Sequence, residues 1–543
     1  MTTLNRLAKL WLAAGFLGIS LGNAAGVGDP CESPLCRLVT ADRHSTPSVR
    51  KFYESAGYKL AWTHNGVPTK QALSVVDALK ATETKGLNPE AYEASTWDAR
   101  LKSLSSEAAQ AEFDLNLTLS LMRYISDLHF GRANPGLFHT SSGTGGELGD
   151  LATFLRQRVV DSADVKAVLE AVEPPYPGYQ RTEEAFQRYL VLAAGPLLPR
   201  LPVTPKPVEP GATYAGSGDL VTILRRLSDL SADAAIPDTS RYEGPLVDAV
   251  RHFQTRHGLD PDGRLGKSTF AQLNTPLSTR VRQLQLTLER WRWAPHSFPR
   301  PPIVVNIPEF ELRTVNAAYR TDLEMKVVTG KAYGHKTPVF SADMNYVVFR
   351  PYWDVPYSIT RNEMLPKMEH DAAYLAKNQL EIVDAQGRVL AENTPDADTI
   401  ARLRSGALRI RQLPGPENSL GLVKFLFPNE HSVYLHSTPA TNLFSKSRRD
   451  FSHGCIRVEK PEELALWILK SEGSEWTPDR IHQAMEGGTT FQVTLKNPIP
   501  VLIVYATAIV TENGEVHFFD DIYKEDIRLA AALALTEPLS AAR

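Results

Sequence analysis

Cysteine is scarce in this chain: the 543 residues hold three, Cys31, Cys36 and Cys455. So few exclude a scaffold held together by many disulfides. With neither a His-Glu-x-x-His helix nor a paired Cys-x-x-Cys motif, a zinc site drawn from His436, His453 and Cys455 is the weaker reading. An excess of charge of one sign is also missing, since 59 Lys plus Arg stand against 62 Asp plus Glu, a formal net charge of −3. That near-neutral balance gives no global electrostatic footprint for DNA or RNA, and nucleic-acid binding is set aside. Beyond the N-terminal segment no apolar run approaches the roughly 20 residues that span a bilayer. A hydrophobic fraction of 43% and a charged fraction of 22% are those of a globular protein, which excludes disorder along the whole chain. The length suggests about three or four folded units.

The N-terminal segment reads as an export signal. Arg6 and Lys9 precede the apolar run Leu10–Leu21, and the small residues Gly22-Asn23-Ala24-Ala25 follow, so residues 1–25 are expected to be a signal peptide, with an uncleaved membrane anchor as the alternative. Export places the remaining chain in an oxidising compartment, where Cys31 and Cys36 can close a short loop and Cys455 is left as a single thiol. A lone Cys is usually a small buried hydrophobe, and only its neighbours argue otherwise.

From about Ser48 to Arg200, apolar residues recur at helical spacing, as in Phe113–Met122 and Phe186–Leu192, and predict a mostly helical support domain. Pro196–Pro207 is Pro-rich and suits an extended connector. Helical segments follow around Asp219–Leu230, Gly244–His257 and Phe270–Leu273, with turns at Asp262-Gly263 and Gly266. The residues Ala249–Gln254, Gly258-Leu259, Asp262-Gly263, Gly266 and Thr269 resemble the small three-helix peptidoglycan-binding module found beside cell-wall enzymes. Glycan binding and a purely structural role both remain open for it. After Pro301-Pro302 the chain turns to short β-branched and aromatic runs at 303–307, 312–315, 325–328 and 346–349. These resume at 422–427 and 433–435, and again at 492–495, 501–510 and 516–519. Residues 360–412 interrupt them with charged sequence read as helical.

Inside this β-rich region Tyr434-Leu435-His436-Ser437 is followed, after a spacer, by Ser452-His453-Gly454-Cys455-Ile456-Arg457-Val458. A His at a strand end can return against a Cys in a tight Gly turn, which is the geometry of a thiol–imidazole pair. A free thiol has a pKa near about 8.5, so only a small fraction is thiolate at neutral pH, and a nearby imidazole relieves that limit. Gly454 lets the backbone approach a substrate carbonyl, and the N–H groups of Gly454 and Cys455 are candidate oxyanion donors.

These residues resemble the signature of the L,D-transpeptidases, whose YkuD-type catalytic domain remodels peptidoglycan: a His, a spacer of 15 residues here, then Ser-His-Gly-Cys and an apolar residue. Some family members carry Asn two positions after the Cys, where this chain has Arg457. The similarity extends through Thr337-Pro338, Pro351–Pro356, Arg411–Gly421 and His436–Pro439 to the large periplasmic subtype, and Tyr124–Arg132 resembles its scaffold. The expected fold is therefore multidomain α+β. It comprises a helical scaffold over 40–215, a peptidoglycan-binding-like module over 216–277, a β-rich catalytic domain over 302–510 with a capping insertion at 360–412, and a C-terminal hairpin and tail over 511–543.

The resemblance implies Cys455 as nucleophile, His436 as general base and Ser437 as the residue whose backbone carbonyl orients the His. The implied reaction is acyl transfer from a tetrapeptide stem, releasing D-alanine and forming a 3→3 cross-link, with no metal or organic cofactor. His453 is read either as tuning the thiol or contacting substrate, or as a structural hydrogen-bond partner in the loop. Arg457 is read as a carboxylate clamp or, more readily, as half of a structural salt bridge. Tyr434, Trp353 and Tyr352 are candidates for the donor groove, with core packing the commoner fate of such aromatics. Arg448 and Arg449 are expected in a solvated turn. The acceptor stays open among a second stem, a cell-wall lipoprotein lysine and a free D-amino acid. A secreted cysteine carboxypeptidase or amidase, and a non-catalytic wall-binding protein, are the competing functions.

Overall fold

The structure is a computed structural model that describes residues 31–41, 46–138, 147–236, 240–390 and 395–536. The expected signal segment lies outside the described residues. Among those described, no helix is long and apolar enough to cross a membrane. Cys31 is bonded to Cys36, and Cys455 is free.

The N-terminal region is helical, as the periodicity predicts. Its central helix, Glu107–Phe130, starts where the Ser106 hydroxyl accepts from the Ala109 N–H at 3.2 Å and ends at Gly131. Residues Leu35 to Val172 pack one core around it. Within that core the buried Asp114 carboxylate accepts from Ala61 N at 2.9 Å, Trp62 N at 2.8 Å and the Tyr53 hydroxyl at 2.9 Å, tying two chain segments to the helix. The support region is not one unit, however. The helix Pro177–Ala194 leaves this core and packs instead on the helix Leu277–Trp291 and on the hairpin of strands Ala508–Val510 and Val516–Phe518.

Three helices, Ser217–Arg226, Pro245–Thr255 and Lys267–Leu273, form the small module. The Pro-rich stretch before it is extended but not a free connector. Leu201 is buried in the module core, its N–H donates to Asn274 Oδ1 at 2.7 Å, and Val208 bridges to Leu265. Apolar side chains between the prolines, each worth about 1.5–3 kcal/mol when buried, explain why the segment docks. The module rests on the C-terminal hairpin through buried Arg256, which donates to Val516 O at 2.9 Å.

The β-rich region forms a nine-stranded sheet in the order 450–452, 321–330, 456–458, 435–436, 423–426, 340–349, 491–504, 303–306, 311–315. Strand 311–315 also pairs with strand 321–330, so the sheet closes on itself. Val, Ile, Leu, Met and Phe side chains fill its interior, and the helices Pro461–Leu469 and Pro478–Glu486 pack against it.

The insertion at 360–412 differs from expectation. Besides helices at 365–370, 374–377 and 397–405, it contributes Leu380–Val383 and Arg409–Gln412 to a three-stranded sheet completed by Trp353–Asp354 just before it. The alternation Leu380-Glu381-Ile382 and Arg409-Ile410-Arg411 puts apolar residues inward and charges outward, a period-two signal that the density of charge hides. The expected C-terminal tail likewise contains a helix, Glu525–Leu535, whose Leu529 and Leu533 pack on Leu286 and Trp293.

Candidate active site

Two short strands bring the motif residues together. Leu435–His436 runs parallel to Ile456–Val458, with Leu435 opposite Ile456 and His436 opposite Arg457, and on its other side His436 faces Lys424. Leu435 and Ile456 belong to the sheet interior, so alternation sends His436, Arg457 and Lys424 to the opposite face as a row of basic side chains.

His436 is buried, with 3% of its surface exposed, and its Nδ1 lies 2.6 Å from the Ser437 carbonyl. A carbonyl can only accept, so Nδ1 carries the proton and Nε2 keeps its lone pair. Burial, reinforced by the nearby Arg457 and Lys424 charges, lowers the His436 pKa to about 3, so the imidazole is neutral at working pH. The Ser437 hydroxyl has its own task. It accepts from Leu422 N at 2.7 Å and Val423 N at 3.1 Å and donates to Leu420 O at 3.1 Å, fastening the turn that leads into the strand beside His436. A Cβ on Gly421 would stand 2.1 Å from that hydroxyl oxygen, and Gly421 has φ +62°, so only glycine fits beneath Ser437.

The Cys455 loop is held by side chains on both sides. Ser452 Oγ donates to Cys455 O at 2.5 Å and accepts from Gly454 N at 3.1 Å. The Gly454 N–H is thus already engaged, a correction to its expected place beside Cys455 N–H as an oxyanion donor. Gly454 has φ +121°, a conformation that L side chains rarely adopt. The Cys455 thiol donates to the Ser432 carbonyl at 3.8 Å rather than to His436. Burial pushes its pKa up, against the lowering influence of the Tyr434 backbone and hydroxyl and of the Arg457 charge. The site as built therefore holds a protonated thiol near a neutral imidazole, not a thiolate–imidazolium pair.

Of the other expected residues, Tyr434 is at the site, its ring 5.7 Å from that of His436. Arg457 forms no ion pair among the described residues, and its Nε is buried without a partner, so the expected structural salt bridge is absent. His453 turns away toward the insertion, where its Nε2 meets Glu363 at 2.7 Å, and its ring lies 4.6 Å from that of His335. Trp353 packs against the core of the insertion, and Tyr352 lies under the Arg411 guanidinium at 4.2 Å. Arg448 pairs with Asp450 near the surface, but Arg449 is buried and donates to Val327 O at 3.2 Å, Lys446 O at 2.7 Å and Phe310 O at 2.9 Å. A solvated turn is wrong for Arg449, because three backbone carbonyls of neighbouring segments need its fork of donors.

Sequence reasoning missed Lys424, Ser432, Glu363 and the role of Thr337, whose hydroxyl donates to Gly454 O at 2.7 Å. The basic residue in the apolar strand Val423–Leu426 was a usable signal for Lys424. Nothing local marks Ser432 or Glu363, and although Thr337 falls within the resemblance, its partner Gly454 is distant in sequence and leaves its role unmarked. Among the described residues, no group of three His, Cys, Asp or Glu side chains is placed to hold a metal ion.

Comparison with known proteins adds independent findings. Residues 300–494 match the family model described as "L,D-transpeptidase catalytic domain", residues 217–273 that of a "Putative peptidoglycan binding domain", and residues 47–186 that of a "Scaffold domain". A protein of Haemophilus influenzae (strain ATCC 51907 / DSM 11121 / KW20 / Rd), named "Putative L,D-transpeptidase", is 34% identical over 233 residues, 42% of this chain and 45% of that protein. The match thus spans just under half the length of that relative. A crystal structure of the L,D-transpeptidase (residues 123–326) from Xylanimonas cellulosilytica DSM 15894 aligns at 14% identity with a TM-score of 0.17, covering 56% of this chain and 100% of that one, a likeness too slight to carry weight.

Proposed function

Since the chain carries a YkuD-family L,D-transpeptidase catalytic domain beside a peptidoglycan-binding domain and a scaffold domain, we propose that it forms 3→3 cross-links in peptidoglycan by cysteine acyl transfer. The observation that carries this reading is the buried, neutral His436 with its Nε2 lone pair free, one strand away from the Cys455 loop. The reaction requires the Cys455 thiol to leave the Ser432 carbonyl for that lone pair, a tightening expected when substrate fills the site.

The Cys455 sulfur attacks the carbonyl carbon of the third residue of a tetrapeptide stem while His436 Nε2 takes the thiol proton. The tetrahedral oxyanion is received by the Cys455 N–H. Collapse breaks the peptide bond, D-alanine leaves with the proton from His436, and a thioester remains. The amine of a second stem attacks the thioester, gives its proton to His436 and restores the thiol. Arg457 and Lys424 flank His436 without ion-pair partners among the described residues, and that leaves a desolvated positive site suited to a carboxylate of the donor stem. Action on peptidoglycan implies an extracellular or periplasmic location, and the N-terminal segment fits export to the periplasm.

Incubation with purified disaccharide-tetrapeptide tests the proposal. A 3→3 dimer and released D-alanine, both absent with Cys455→Ala, are the expected products. Tripeptide and D-alanine without a dimer would replace transfer by hydrolysis, and products persisting in Cys455→Ala would overturn the mechanism.

A further inference from the structure

The Cys455 loop is supported from behind by a segment that lies beyond the matched catalytic domain. Thr337 Oγ1 donates to Gly454 O at 2.7 Å and accepts from Gly330 N at 2.8 Å. The Thr337 N–H in turn donates to the Tyr523 hydroxyl at 3.2 Å, and that hydroxyl donates to Gly330 O at 2.5 Å. Tyr523 is buried and is itself fixed: its N–H donates to the Tyr505 hydroxyl at 2.8 Å, and its carbonyl accepts from Lys336 Nζ at 2.6 Å. Two residues later begins the helix Glu525–Leu535, which packs on the helix Leu277–Trp291 and is joined to it by Arg290–Asp526 at 2.5 Å.

A peptide unit is planar and trans, so its C=O and N–H point in opposite directions. Holding the Gly454 carbonyl on Thr337 therefore aims the Cys455 N–H the other way, away from Thr337. Gly454 at φ +121° leaves this peptide open to rotation unless something pins it, because glycine crosses conformations that other residues resist. Thr337 is that pin. Tyr523 holds both Thr337 and Gly330, the two ends of the segment that wraps the loop.

We propose that Thr337 and Tyr523 form a positioning relay that orients the Cys455 N–H for oxyanion stabilisation, and that the C-terminal segment is thereby a working part of the active site. This rests on the reading of Cys455 as an acyl-accepting nucleophile, though not on the identity of the donor. Thr337 and Tyr523 are positioning residues, acting through the 454–455 peptide.

Two reactions of the same sulfur, measured on the full chain, separate the relay from general support. Acylation by p-nitrophenyl acetate passes through a tetrahedral oxyanion: the sulfur attacks the acetyl carbon and p-nitrophenolate leaves. Alkylation by iodoacetamide displaces iodide at a saturated carbon and forms no oxyanion. Cys455→Ala supplies the blank for both. Thr337→Val is expected to slow acylation by about tenfold or more, and Tyr523→Phe by a smaller factor, with alkylation rates unchanged. Thr337→Ser, which keeps the hydroxyl, is expected to restore acylation. The relay is overturned if both variants acylate at the wild-type rate, if acylation and alkylation fall in the same proportion, or if Thr337→Ser is as slow as Thr337→Val. Since p-nitrophenyl acetate needs no peptidoglycan recognition, a wild-type protein that reacts with it but not with tetrapeptide would refute the proposed donor while leaving the relay testable. A wild-type protein acylated no faster than the Cys455→Ala blank would overturn the relay together with the nucleophile it serves.

Discussion

The Ser437→Ala variant separates two jobs that one residue performs. Its backbone carbonyl holds His436 Nδ1, and a change of side chain leaves that carbonyl in place. Its hydroxyl accepts from the N–H groups of half-buried Leu422 and buried Val423. Alanine strands these two donors, and an orphaned buried donor costs about 1–3 kcal/mol, so the catalytic domain should lose about 2–4 kcal/mol. For a domain of this size that corresponds to a fall in Tm of about 5–15 °C. Thermal unfolding of the full chain, followed alongside the rate of Cys455 alkylation at a temperature where both proteins are folded, reads the two jobs separately. The expected result is a clear loss of Tm with an alkylation rate within about threefold of wild type. An unchanged Tm would refute the assignment of the hydroxyl as the fastening of the 420–423 turn. A retained Tm with collapsed reactivity would show that the side chain, not the carbonyl, orients His436.

Other perturbations test other parts of the account. Because burial raises the Cys455 pKa and His436 stays neutral down to about pH 3, the alkylation rate should climb by about tenfold per pH unit from pH 6 to 8, whereas a plateau in that window would reveal a preformed ion pair. Burial also raises the Asp114 carboxyl to about 6 from its ordinary 3.8. The folded state then binds this proton more tightly than the unfolded chain does, so its contribution makes stability fall as pH rises from about 4 to about 6, by about 3 kcal/mol in all. Asp114→Asn should remove that slope in denaturant titrations across the window, and an unaltered slope would place its origin elsewhere. Gly454→Ala meets no atom closer than Lys336 O at 3.9 Å, yet must adopt φ +121°, so a loss of about 1–3 kcal/mol with slower Cys455 acylation is expected, and wild-type stability would show that the loop tolerates a side chain.

The candidate residues were legible because their identities and spacing carry the signal: His436 lies on a strand that pairs with Ile456–Val458, the strand into which the Cys455 loop leads. What spacing could not convey was protonation, since the tautomer of His436 depends on a carbonyl and its neutrality on burial. The Ser437 hydroxyl, the Ser452 bond that occupies the Gly454 N–H, and the Thr337 support all depend on which backbone groups the fold brings within reach. Long-range placement likewise decided Arg449, which reads as a surface charge beside Arg448 but folds inward onto carbonyls of Val327 and Phe310. Strong periodic segments such as Phe113–Met122 were found, while the short strands of the insertion were masked by charges on their exposed faces. The docking of the Pro-rich stretch followed from apolar residues too widely spaced to form a local pattern, whereas the C-terminal helix carries Leu529 and Leu533 at helical spacing, a pattern that does not say against what the helix docks.

The most direct test of the account is the mass of the protein after brief exposure to disaccharide-tetrapeptide, with any adduct mapped by peptide to its residue. The expected adduct is a tripeptide-stem thioester on Cys455, absent in Cys455→Ala and forming much more slowly in His436→Ala. An adduct on another residue, or the same rate of formation without His436, would contradict it.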